Sequence, residues 1–202
     1  MPQPQAIVFA GPNGSGKTTL ALDYLATHPM PYLSADLMAE ALGQDASDGA
    51  RLRAGRVFFR MIDDEIAARR SFVTEVTLAG SSFRRVIDRL HDSKYRVSIV
   101  FVFLATAEAC VARVKTRAQK GGHWISEVDV VRRFYRSSRN FWIMYRPLAD
   151  RWRLVYNGDA GSCVVARGRG AAVVVIHRAL LDLYLEITQR CRDDRADNRR
   201  RR

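Results

Sequence analysis

Gly11-Pro12-Asn13-Gly14-Ser15-Gly16-Lys17-Thr18 limits what this chain can fold into more than any other stretch. It satisfies G-x-x-x-x-G-K-[ST], with an apolar run, Ala6–Ala10, before it and a helical pattern, Lys17–Thr27, after it. Glycines let successive backbone N–H groups curl around phosphate oxygens without Cβ clashes. The start of the following helix adds partial positive charge. Lys17 is suited to neutralise phosphate charge, and the Thr18 hydroxyl is suited to coordinate Mg²⁺. Thr19, the next helix residue, completes the segment expected to hold ATP. The motif points to a nucleoside triphosphate and leaves the reaction open.

Composition narrows the class. The chain has 202 residues, 48% of them hydrophobic, and a formal charge of +12. That apolar share suits a folded domain and is too high for intrinsic disorder. No apolar run approaches the roughly 18 residues of a membrane helix, so no membrane partner is expected. Met1-Pro2-Gln3-Pro4-Gln5 lacks the basic start of a signal peptide. Cys110, Cys163 and Cys191 are odd in number and widely spaced, which argues for a reducing cytoplasm over a disulfide or zinc framework. Arg190–Arg202 carries seven Arg and three Asp. It reads as a disordered, solvated basic tail over residues 191–202, with weak polyanion attraction as its other use.

Apolar runs alternate with helical patterns and no linker divides them. The expectation is a single domain over residues 1–190, a doubly wound, mostly parallel α/β sheet of about five strands with helices on both faces. Pro31–Ser34, Ser71–Val76 and Trp152–Tyr156 read as strands. Val97–Leu104, apolar at seven of eight positions, reads as a strand buried on both faces. Ala50–Arg70, Ser82–Leu90, Ala107–Ala118 and His177–Arg190 read as helices. Ser126 reads as the N-cap of a helix running towards Tyr145. Cys163–Ile176 reads as a hairpin turning at Gly168–Gly170.

Several residues carry two readings each. Asp36 follows a short strand, where a carboxylate could take a proton from an attacking hydroxyl; taken alone, Asp36 before Leu37-Met38-Ala39 reads better as a helix N-cap. Glu75 ends an apolar strand, where an acid must be paired or face a site. It could bind substrate, assist Mg²⁺ or form an edge salt bridge. Arg113 and Arg117, then Arg132, Arg133, Arg136 and Arg139, lie on two helices joined by Lys120-Gly121-Gly122-His123. As a group they suit a lid that closes over phosphates, although each alone could be a solvated charge. His123 reads as a loop hydrogen-bonder. Phe134, Tyr135, Phe141, Trp142 and Tyr145 could stack on bases, but their helical spacing favours core packing.

The loop also resembles that of transporter-type ATPases, yet their Ser-Gly-Gly-Gln signature is absent, and Val97–Leu104 ends in Ala105-Thr106 with no acid. Beyond the loop, the chain resembles the zeta-toxin-like kinases in Ser34-Ala35-Asp36, Thr74-Glu75-Val76-Thr77-Leu78-Ala79-Gly80 and Arg113…Arg117…Gly121-Gly122-His123. The likeness continues through Arg132-Arg133-Phe134, Asn140 and Pro147–Trp152, and spans roughly residues 5–187. These P-loop proteins are related to the toxin of epsilon/zeta toxin–antitoxin systems, and some phosphorylate UDP-N-acetylglucosamine.

The resemblance implies a kinase with ATP and Mg²⁺ as cofactors. Lys17 would hold phosphates, Thr18 the metal, Asp36 would be the base, and Glu75 would position substrate. Arg117 and Arg133 would clamp the γ-phosphate, and an antitoxin would be a possible partner. Relatives often carry Glu-Thr-Thr-Leu-Ser-Gly where this chain has Glu75-Val76-Thr77-Leu78-Ala79-Gly80, so two hydroxyls are missing. The basic charge keeps two alternatives open: a nucleic-acid-associated or partner-switching ATPase, and a nucleoside or polynucleotide kinase.

Overall fold

The computed structural model describes residues 3–35, 48–122 and 124–200. Its elements in chain order are β1 (Gln5–Ala10), α1 (Lys17–Thr27), β2 (Tyr32–Ser34), α2 (Asp48–Ala67), β3 (Phe72–Val76), α3 (Phe83–Asp92) and β4 (Arg96–Phe103). They continue as α4 (Ala107–Gln119), α5 (Glu127–Asn140), β5 (Arg151–Gly158), β6 (Gly161–Gly168), β7 (Val174–Val175) and α6 (Arg178–Arg200). A π-helical turn, Phe141–Tyr145, and a short 3₁₀ turn, Arg146–Leu148, link α5 to β5. Ser126 caps α5 as expected, its hydroxyl accepting from the Asp129 N–H at 3.2 Å.

One sheet runs β2-β3-β1-β4-β5-β6-β7. The first five in that order are parallel, with Ala6 beside Phe72 on one side and beside Val97 on the other. The sheet has seven strands where about five were expected. The two extra strands, β6 and β7, are antiparallel and continue the β5 edge. Their sequence is broken by Arg167 and by glycines, so it lacks the unbroken apolar run of a buried parallel strand. The expected hairpin is the β6–β7 pair; the β5–β6 pair before it turns at Asp159–Ala160.

Alternation sends successive side chains to opposite faces. Ala6, Val8 and Ala10 face a core built with Phe58 and Ile62 of α2, Val86 and Ile87 of α3, Val114 of α4, Phe134 of α5 and Tyr184 of α6. Ile7 and Phe9 face α1, where Ala21, Leu20, Tyr24 and Leu25 meet them. Helices thus cover both faces, but unequally. Along β4, Val97, Ile99 and Phe101 are buried while Ser98 and Val100 are only half-buried. The expectation that this strand is buried on both faces therefore fails for its first half, because α1 lies over β1 and β3.

Aromatic rings lock the larger core. Phe101 stacks on Phe141 at 4.5 Å between centroids, and Tyr184 meets Phe103 edge-on at 4.8 Å. Burial pushes the Tyr184 hydroxyl well above the usual tyrosine range, and it donates to the Ser138 carbonyl at 2.8 Å. Phe134, Phe141 and Tyr145 are buried, in line with the core-packing reading of this aromatic run. Helical backbone in α6 continues to Arg200, past the Arg190 at which the sequence pattern ends and into the segment read as disordered. Phe101→Ala should lower unfolding stability by about 3–5 kcal/mol, measurable by chemical denaturation.

Candidate active site

Parallel strands place their carboxyl ends, and the loops that follow, along one edge of the sheet. β1 lies between β3 and β4, at the point where successive connections turn to opposite sides. The loop after β1, residues 11–16, therefore opens into the crevice where α/β sheets hold ligands.

The loop is held closely by its neighbours. A Cβ on Gly11, whose φ is +139°, would collide with the Val102 carbonyl of β4. A Cβ on Gly14, at φ +81°, would lie 2.5 Å from the Cys110 carbonyl of α4. The Ser15 carbonyl accepts from the Asn157 side-chain amide at 2.8 Å, so the end of β5 braces the loop. Gly16 caps α1 with left-handed backbone and no side-chain hydrogen bond, and the first turn of α1 contains no acid. Its first N–H groups and its dipole thus face the loop without a competing carboxylate.

Three features fit a phosphate group. The N–H-rich curve is one, and the buried amine of Lys17 is another. The third is the Ser15 hydroxyl, buried with no hydrogen-bond partner among the described residues. Lys17 Nζ donates to the Pro12 carbonyl at 3.0 Å and lies 3.7 Å from Glu75 Oε1. The other Glu75 oxygen accepts from the Tyr32 hydroxyl at 2.7 Å. Glu75 is buried at the carboxyl end of β3, where Thr74 is tied to the Leu33 carbonyl at 3.0 Å. Thr18 and Thr19 are exposed on the first turn of α1. No cluster of three His, Cys, Asp or Glu suited to a metal occurs among the described residues.

Arg133 reaches the loop from α5, donating to Asn13 Oδ1 at 3.3 Å. Arg132 instead pairs with Asp129 at 2.6 Å, and Arg113 with Asp159 at 3.5 Å. Arg117 lies at the exposed end of α4, its Cγ beside Gly122. Asp36 and His123 lie outside the described residues. The structure therefore brings together Lys17, Glu75, Asn13 and Arg133.

Sequence reasoning missed Tyr32 and Asn157. Tyr32 opens β2 and Asn157 lies near the end of β5, and only their contacts across space, with Glu75 and the Ser15 carbonyl, give them meaning. It also missed how the segment after Glu75 is fixed. Leu78 adopts φ +55°, its carbonyl accepting from Asn140 at 3.0 Å, while the Tyr145 hydroxyl donates to the Gly80 carbonyl at 2.6 Å. Burial pushes that Tyr145 hydroxyl up to about 12.

Residues 7–135 match the AAA_33 family, described as an AAA domain. A Haemophilus influenzae protein, described as uncharacterized, is 29% identical over 133 residues, covering 66% of this chain and 94% of that one. Among solved structures, the AvrRxo1-ORF1:-ORF2 complex with ATP superposes with a TM-score of 0.71 at 18% identity. The match covers 92% of this chain, which spans only 64% of that one. The PezAT chromosomal toxin–antitoxin system of Streptococcus pneumoniae gives a TM-score of 0.62 at 15% identity, covering 94% and 88% of the two chains. The fold is a kinase-like P-loop α/β domain.

Gly14→Ala should weaken ATP binding at least about tenfold in calorimetry, because strained backbone and the Cys110 carbonyl both oppose a Cβ. Gly121→Ala shares the positive φ but has open space around it, and should leave binding nearly unchanged. Burial pushes the Cys110 thiol up to about 12, against the opposing pull of Lys17 and Arg113. Iodoacetamide at about pH 8.5 should therefore label half-buried Cys163 in the native protein and reach Cys110 only after unfolding.

Proposed function

We propose, on the premise that the chain belongs to the AAA_33 family of AAA domains, that it is an ATP-dependent kinase transferring a phosphoryl group to a hydroxyl of a small acceptor. The observation that carries this reading is the buried Glu75 beside Lys17. It sets a carboxylate at the phosphate loop, on the rim where an acceptor would enter. ATP with Mg²⁺ would supply the phosphoryl group and the charge neutralisation that in-line transfer requires.

The chain's own residues supply positioning. Lys17 and the loop N–H groups would hold the phosphates, and the Thr18 hydroxyl would be the metal's protein ligand. Glu75, oriented by Tyr32, faces the acceptor. Arg133, already on Asn13, closes the phosphate side, and Arg117 approaches from α4. Asp36, which follows the β2 end of the crevice in sequence, takes the acceptor's proton. The motifs shared with zeta-toxin-like kinases, together with likeness in fold to PezAT, support this zeta-toxin type of chemistry. They also make UDP-N-acetylglucosamine the first acceptor to try. A protein partner of antitoxin kind is part of the same reading, since AvrRxo1-ORF1 is paired with ORF2 and PezAT is a toxin–antitoxin system.

The test is ADP formation across a panel of sugar nucleotides, nucleosides and oligonucleotides, with mass spectrometry for an acceptor gaining one phosphate. Lys17→Ala should abolish turnover. Asp36→Asn should keep ATP binding but lower transfer by about 10²–10⁴-fold. Transfer within a few-fold of wild type in Asp36→Asn would remove the base assignment. ADP and free phosphate with no modified acceptor, stimulated by oligonucleotides alone, would favour the nucleic-acid-associated ATPase.

A further inference from the structure

A parallel sheet is normally covered on both faces. Here α1 covers β1 and β3 on its face, and the sheet beyond it forms a groove of about 770 Å³ over β4, β5 and β6. Ile7, Phe9, Val100, Val155 and Val164 line it among others, between Leu20 and Tyr24 of α1 and Val174 of β7. Four strand spacings separate β1 from β7, about 19 Å. With α1 occupying the first part of that span, the remainder accepts one helix of about 10 Å diameter. Val174, which lines the far side of the groove opposite Arg167, is itself exposed.

The charge of the groove is one-sided. Arg151, Arg153, Arg167 and Arg169 line it, and no Asp or Glu does. Arg153 and Arg167 are direct cross-strand partners on β5 and β6. Like charges placed directly opposite destabilise a sheet, and an anionic group between them relieves the repulsion. Lys17, Glu75 and the phosphate loop are not among the lining residues, so this surface is separate from the candidate active site.

We propose that this groove docks an amphipathic helix of a partner protein, one whose apolar stripe is flanked by Asp and Glu. A second copy of this chain is a poor occupant, because a net charge of +12 would set arginine against arginine. Nucleic acid is disfavoured because the lining is largely aliphatic and the Phe9 ring already packs against Tyr24, 5.9 Å away, leaving no free stacking platform.

The probe is a fluorescein-labelled helical peptide of about five turns, with Leu at i, i+3, i+4 and i+7 and Glu on both flanks. Its counterpart carries Lys in place of Glu. Binding to the full chain is followed by anisotropy. The Glu peptide should bind in the range of about 1–100 μM and the Lys peptide should not. Arg153→Gln with Arg167→Gln should weaken the Glu peptide at least about tenfold. Arg153→Glu, which creates a cross-strand pair with Arg167 and so should fold well, should weaken it similarly. All variants should keep wild-type ATP affinity, and none should melt below wild type, since each removes the Arg153–Arg167 repulsion. Failure of the Glu peptide to bind, or equal affinity for both peptides or for the variants, overturns the proposal. So does a single-stranded oligonucleotide that binds in the peptide's place and is lost in the double variant. A dimer in sedimentation that the double variant dissolves overturns it in favour of a second copy.

Discussion

Close approach of backbone to backbone at the phosphate loop is the constraint on which the rest of this molecule depends. Gly11 lies against a carbonyl of β4, Gly14 against a carbonyl of α4, and Gly16 against the Asn157 amide of β5. The first two approaches tolerate no Cβ, and one on Gly16 would displace the Asn157 side chain from its place against the loop. The loop therefore joins three elements that are far apart in sequence. Its curve is set by the order in which strands lie beside β1. Were β4 not next to β1, or β5 not next to β4, neither the carbonyl wall nor the Asn157 brace would exist.

Electrostatics at the same edge follow from that geometry. Lys17 is buried, and a buried amine requires compensation. Here it comes from the Pro12 carbonyl and, less closely, from Glu75, which in turn takes a hydrogen bond from Tyr32. Three elements thus contribute to one charge-balanced group: Lys17 opens α1, Glu75 is on β3, and Tyr32 is on β2. The acid that breaks the apolar pattern of β3 is paired with Lys17 and hydrogen-bonded by Tyr32, which is what makes a buried strand-end carboxylate tolerable.

Much of this was legible in the residues. A fixed spacing of glycines and a lysine, between an apolar run and a helical pattern, located the loop. The Ser126 cap and the arginine-bearing helices α4 and α5 also stood where periodicity put them. What escaped the sequence was whatever arises only across space. Asn157 is 142 residues from the carbonyl it holds, and no local pattern marks it. Leu78 takes a left-handed backbone that its residue type disfavours, held by Asn140 and flanked by the Tyr145–Gly80 bond. The bare half of the β4 face was hidden because an apolar run does not say how many helices will cover it. Ser98, the one polar residue in that run, was the trace it left.

Helix α5 holds both sides of the crevice. Near its middle Arg133 grips Asn13 of the phosphate loop, and at its end Asn140 grips Leu78 after Glu75. The two grips are seven residues, about 10 Å, apart on a single rod. Such a rod acts as a lever with two loaded points. A tilt that lifts Arg133 from the loop also works on the bond to Leu78, and a shift of the segment after Glu75 is felt at Asn13. The two sides of the crevice are in mechanical register through one helix.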